Sequence, residues 1–216
     1  NSKYIQKKIQ RTYGVEATVI YPGVEERYYI QPKVDTIMSV VEKYDIPQDF
    51  VLVVSRLYDY KRVDWAIEAC IKAGKNLIIV GEGPDMKFLK RKAGKNENIK
   101  FLGYIPDEEV ICLLHQAQLL LFCGVEDFGI VPVEAMAAGT PVFAFKEGGV
   151  METVKEKVCG EYFENIEELT KLLKSFEKRR YNSQKIIAQA KLFTETKFVN
   201  NLEKYLRAIH EEKIKK

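Results

Sequence analysis

"VLVVSRLYDYKRVDWAIEACIKAGKNLIIVGEGP" (51–84) is the stretch on which the fold turns. It opens with the apolar run Val51 to Val54, short and rich in β-branched residues, the pattern of a strand buried on both faces. After a polar and aromatic loop, Val63, Ala66, Ile67, Cys70 and Ile71 fall at i, i+3, i+4, i+7 and i+8, the spacing of one helix face. A second apolar run, "NLIIV" (76–80), follows directly. Strand, helix and strand in such short order make a βαβ unit, in which the strands pair in parallel through a right-handed crossover. The unit recurs along the chain. Further strand-like runs stand at "IKFL" (99–102), "LLLF" (119–122), "PVFAF" (141–145) and, more weakly, "EYF" (161–163), with helical patterns from Asp107 to His115 and from Val131 to Ala138. The expected fold is therefore α/β, a doubly wound parallel six-stranded Rossmann-like sheet with helices following it at the C-terminus. Such sheets bind ligands beyond the carboxyl ends of their strands, so the strand-to-helix loops are where chemistry is sought.

The flanks depart from this alternation. Residues 2–13 read as a basic helix, "ATVIYPGV" (17–24) as a strand and a turn, and the proline-bearing stretch to Lys33 as an interdomain linker. After Phe163 the patterns are helical only: 166–176, 184–192, and 195–210 with Phe198, Leu202, Tyr205, Leu206 and Ile209 on one face. The chain starts at Asn1 within what already reads as a helix, so a preceding segment is expected.

Bulk properties exclude several classes. Hydrophobic residues make up 46% of the 216 and charged ones 30%, a globular profile. The net charge of +3 is too near balance to argue for nucleic acid, and the basic tail "KIKK" (213–216) reads as a solvated end. No apolar run reaches the roughly 20 residues that cross a bilayer, and no signal peptide is recognisable. Cys70, Cys112, Cys123 and Cys159 lack CxxC spacing, and with His115 and His210 as the two histidines a zinc site is not expected. Reduced thiols fit a cytoplasmic setting.

Four loops carry candidate chemistry. In "SRLYDYKR" (55–62), Arg56 and Lys61 lie at a strand's carboxyl end beside a helix N-terminus, a place suited to a diphosphate; two solvated surface cations are the ordinary alternative. In "VGEGPDM" (80–86), Gly81 and Gly83 would let the backbone approach a ligand, or make a plain tight turn; Met86 occupies the third glycine position of a dinucleotide GxGxxG. In "FLGYIPDEEV" (101–110), Asp107 is a natural helix cap, while Tyr104, Ile105 and Asp107 could instead bracket a nucleobase. The fourth, "EDFGIVPVEAMAAGT" (126–140), sets Glu126 in the loop and Glu134 a turn inside the next helix, with Phe128, Gly129, Ile130 and Val131 at the free N–H groups between. Two carboxylates so placed can take hydroxyl groups from two ends of one ligand whose anionic middle meets the helix N-terminus. A sugar nucleotide has that shape.

Taken together, "SRL" with its following lysine, "GEGP", "FLGY" and "EDFGIVPVEAMAAGTPV" resemble the C-terminal donor-binding domain of retaining glycosyltransferases of the two-domain B-type fold, family four, in the mannosyltransferase-like branch of polysaccharide biosynthesis. The resemblance covers almost the whole chain. It implies that 1–34 is the tail end of an N-terminal acceptor domain and linker, 35–193 the nucleotide-sugar donor domain, and 194–216 a helix returning to the N-terminal domain. It implies Arg56 and Lys61 on the donor diphosphate, Glu126 on the transferred hexose and Glu134 on the ribose. Main-chain groups of Phe128, Gly129, Ile130 and Val131 would contact sugar and phosphate, and Ile105 with Asp107 the base. The implied donor is GDP-mannose, with a UDP-sugar as the alternative; no metal cofactor is expected, and the partner is a saccharide or lipid-linked acceptor. A cytoplasmic enzyme, in its full length touching the inner membrane face, would result. Weighed against this are a nicotinamide-dependent oxidoreductase, disfavoured by the broken GxGxxG, a nucleotide-sugar-binding module without turnover, and a sugar-nucleotide epimerase.

Overall fold

The computed structural model describes the backbone of residues 1–214 and the side chains of residues 1–211, so the side chains of "KIKK" lie outside the described residues. Six strands, β1 (Val51–Val54), β2 (Leu77–Val80), β3 (Ile99–Gly103), β4 (Leu119–Phe122), β5 (Val142–Phe145) and β6 (Gly160–Phe163), form one sheet. Its order is β3-β2-β1-β4-β5-β6, and every pairing is parallel. All six expected strands are present. Their period of two sorts side chains onto opposite faces: Leu52, Ile78, Leu120 and Val142 enter one core layer, Val51, Val53, Ile79 and Leu121 the other.

Helices α1 (Lys3–Tyr13), α2 (Val34–Lys43), α3 (Val63–Ala73), α4 (Met86–Ala93), α5 (Asp107–Gln116), α6 (Ile130–Ala137), α7 (Val150–Thr153), α8 (Ile166–Ser175), α9 (Ser183–Ala190) and α10 (Glu195–Ile214) follow in chain order. Ile37 of α2, Leu114 of α5, Val133 of α6 and Ile186 of α9 cover the first face. Ile67 of α3, Leu89 of α4 and Leu169 of α8 cover the second. Leu120 is fully buried at the centre, and truncation there to alanine is expected to cost about 2–5 kcal/mol.

The sheet order places the functional end. From β1 the chain turns to α3 on one face, and from adjacent β4 it turns to α6 on the other. Diverging connections leave a crevice at their carboxyl ends, the topological switch point.

Two flanking expectations need revision. No strand forms over 17–20; Val24 makes a single parallel bridge to Thr194, and a short 3-10 turn, Glu26–Tyr29, follows. The apolar residues of this stretch pack against the domain instead: Val24 and Tyr28 are buried, and the Tyr29 hydroxyl donates to the Ala190 carbonyl at 3.0 Å. The expected terminal helix is present and runs on to Ile214. Tyr205 and Leu206 on its apolar face are exposed, and Phe198, Leu202 and Ile209 half-buried.

Candidate functional site at the switch point of the sheet

The β1 loop is held from below. A Cβ on Gly81 would stand 2.0 Å from the Ser55 carbonyl oxygen, and one on Gly83 2.3 Å from that of Leu57. Leu57 N–H donates to Glu82 O at 2.9 Å, and Asp85 N–H to Leu57 O at 3.1 Å. The two glycines thus admit a neighbouring backbone, as the tight-turn reading of their spacing expects. Their close approach seats the loop that carries Arg56. Leu57 is fully buried beneath it, while Arg56 is exposed and, among the described residues, makes no ion pair.

The same loop continues into a 3-10 turn, Asp59–Lys61, that delivers Lys61 to the β4 loop. Lys61 Nζ pairs with Glu126 Oε1, with the lysine side chain only 12% exposed. Three glycines make this approach possible. A Cβ on Gly124 would lie 2.9 Å from Lys61 Cα, one on Gly148 2.6 Å from Glu126 O, and one on Gly149 2.2 Å from Asp127 O. Gly149 N–H also donates to Glu126 O at 2.8 Å. Sequence reasoning passed over all three, although "KEGGV" (146–150) carries after β5 the same punctuation that drew attention after β2.

Helix α6 starts beside this pair. Gly129 is its N-cap with φ 82°, a left-handed conformation that glycine takes without a Cβ clash, and no side chain caps the helix. Pro132 brings no N–H of its own to the third helical position, so the N–H groups of Ile130 and Val131 are what the helix end offers an anion. A cleft of about 400 Å³ is lined by Lys61, Glu126, Phe128, Gly129 and Ile130, with Tyr60 and Pro22 at its rim.

Glu134 lies deeper. Burial raises its pKa from 4.5 to about 7, with Asp107 adding repulsion and a Tyr28 hydroxyl opposing the shift. Tyr28 comes from the 3-10 turn at 26–29, a segment read from sequence as linker. Beside it Arg27 Nη2 meets Asp107 Oδ2 at 3.0 Å. Asp107 does not cap α5: the N-cap is Pro106, with no side-chain bond, and the Asp107 carboxylate turns to the guanidinium instead. Ile105 is buried in the core, so its side chain is no open wall for a base, whereas the Tyr104 ring is 75% exposed.

Lys61, Glu126 and the start of α6 are therefore gathered in one cleft, and Glu134, Tyr28, Arg27 and Asp107 form a neighbouring group. Gly81 and Gly83 act one layer below. Tyr28 and Arg27 carry no local signal, because their approach depends on how residues 24–29 fold back.

Residues 39–193 match the family described as glycosyl transferases group 1. The chain is 31% identical over 180 residues to a GDP-mannose-dependent alpha-(1-6)-phosphatidylinositol monomannoside mannosyltransferase of Mycolicibacterium smegmatis, covering 74% of this chain and 46% of that protein. It is 34% identical over 121 residues to an uncharacterized glycosyltransferase of Methanocaldococcus jannaschii, covering 52% and 31%. Its fold superposes with a TM-score of 0.86 at 25% identity on the Anabaena protein Alr3699/HepE, solved in complex with UDP and glucose, covering 96% of this chain and 62% of that one. The chain thus spans less than half of these curated relatives. With its parallel sheet, its cleft at the switch point and a match running through both, the chain belongs to the group 1 glycosyl transferases.

Proposed function

We propose that this chain is the donor-binding half of a retaining hexosyltransferase, holding a nucleotide-diphosphate sugar, GDP-mannose, for transfer to a saccharide or lipid-linked acceptor. The observation that carries the reading is the Lys61–Glu126 pair beside the uncapped start of α6. A cation and free N–H groups suit a diphosphate, and the adjoining carboxylate suits sugar hydroxyls. In the reaction, negative charge grows on the β-phosphate as the sugar departs and becomes oxocarbenium-like. Lys61, Arg56 and the N–H groups of α6 stabilise that charge, with no metal taking part. Glu126 exchanges its lysine for hexose hydroxyls and orients the ring. Glu134 accepts from the ribose.

Guanine is supported by the GDP-mannose-dependent relative. Asp107 contributes through the carboxylate edge left beside Arg27, accepting from N1–H and N2–H₂ of the base. The solved complex with UDP and glucose favours a second reading, a UDP-sugar donor.

A thermal-shift and calorimetric panel of GDP, UDP, ADP, GDP-mannose, UDP-glucose and NADH separates these readings. GDP and GDP-mannose are expected to raise the Tm most, with a guanine preference of at least about tenfold that Asp107→Asn abolishes. Preference for UDP-glucose would replace the donor assignment, and a response to NADH alone would refute the glycosyl-transfer site.

A further inference from the structure

Arg62 stands directly after Lys61 and has a backbone that its side chain does not favour. It is the N-cap of α3 with φ 49° and ψ 39°, the left-handed region where glycine is at home and a Cβ is crowded. Something in the surroundings therefore holds it there. Its guanidinium carbon lies 4.3 Å from the centre of the Phe145 ring and 5.1 Å from that of Trp65, two rings that meet edge-on at 89°. Nη1 is buried without a hydrogen-bond partner, and among the described residues Arg62 makes no ion pair. The rings, not a counter-charge, hold the side chain.

The anchor points belong to different elements. Trp65 is in the first turn of α3, and Phe145 is the last residue of β5, beyond β4 from the loop that carries Arg62. The arginine therefore ties the β1 loop across the switch point. On its other side Lys61 is pressed against Gly124, where an added Cβ would reach within 2.9 Å of Lys61 Cα. Between these two restraints Lys61 Nζ meets Glu126 Oε1 and lies 5.0 Å from the centre of the Tyr60 ring.

We infer that Arg62 is a positioning residue for the donor site: its clamp between Phe145 and Trp65 holds the left-handed turn that aims Lys61 at Glu126 and at the donor diphosphate. The second half of that statement rests on the function proposed above; the first half does not. Arg62→Gly tests it, because glycine can adopt the left-handed turn without a Cβ clash but is equally free to leave it once the anchor is gone.

Two measurements decide the matter. Without ligand, the coupling between Lys61 and Glu126 is read from urea unfolding of Lys61→Met, Glu126→Gln and the double variant, in the parent and in Arg62→Gly; it should fall by at least about half in Arg62→Gly. With GDP, Arg62→Gly should raise Kd by roughly 3- to 10-fold in the parent and leave it unchanged in a Lys61→Ala background, with partial rescue by Arg62→Lys. An undiminished ligand-free coupling would overturn the inference whatever binds. So would an equal loss of GDP affinity with and without Lys61, the mark of a residue that acts on stability alone. If the parent binds no nucleotide diphosphate, the proposed function fails, and the ligand-free coupling alone judges Arg62.

Discussion

At the scale of single residues, Lys61 and Glu126 form an ion pair beside the start of α6. Each charge is satisfied by the other, and under the proposed function a donor would place its phosphates and hydroxyls between them. Lys61→Ala should weaken binding of a nucleotide diphosphate by about 1–3 kcal/mol, as should Arg56→Ala, with calorimetry as the check. Unaltered affinity in both variants would refute the phosphate role. Glu134 offers a different handle, since burial lifts its pKa from 4.5 to about 7. In that window the folded chain holds a proton that the unfolded chain has released. Stability should therefore decline as pH rises from about 4.5 to 7, by up to about 3 kcal/mol in all, and Glu134→Gln should remove that dependence in urea titrations. Ribose hydroxyls need the ionised carboxylate, so GDP-mannose affinity should climb between about pH 6 and 8 with proton release on binding. The diphosphate of a sugar nucleotide does not titrate there, which leaves Glu134 as the source. A flat profile in the parent would remove Glu134 from the site.

At the scale of elements, the loops are stacked backbone on backbone. Gly149 touches the carbonyl of Asp127, and Gly149→Ala would force the Glu126–Phe128 segment outward, because a Cβ at 2.2 Å from a backbone oxygen cannot be accommodated by a side-chain rotation. The expected result is a stability loss of about 1–3 kcal/mol together with weakened donor binding. Retained affinity at reduced Tm would show that the loop position does not matter to the ligand. Helix α10 gives the opposite case of an element with little to hold it: none of its described side chains is buried, whereas Leu119, Leu120 and Leu121 of β4 are. Amide exchange should be faster along α10 than in β4 by orders of magnitude. Equal protection would mean that α10 is docked, in solution, on a surface of this chain.

At the scale of the whole molecule, the chain spans 31% and 46% of the two curated proteins compared. The 216-residue chain should bind GDP-mannose yet release no GDP in the presence of saccharide acceptors, with a chain of the relatives' full length as the active control. Turnover by the short chain would place acceptor contacts within residues 1–216. The sequence alone determined the layer architecture and the order of the site. Five apolar runs and one weaker one, separated by helical periods, point to a parallel doubly wound sheet, in which the loops carrying Lys61 and Glu126 lie at the carboxyl end of the strands. Those consequences follow from local periodicity and chain connectivity, which a sequence displays directly. Only the tertiary structure decided that Asp107 turns to Arg27 instead of capping α5, that Gly81 and Gly83 receive the backbone of Ser55 and Leu57, and that Tyr28 lies beside Glu134. Each of these depends on contacts between segments far apart in the chain. The pairing that wins there is set by packing and by the cost of leaving a buried polar group unmatched, and neither is written in the spacing of residues along one loop.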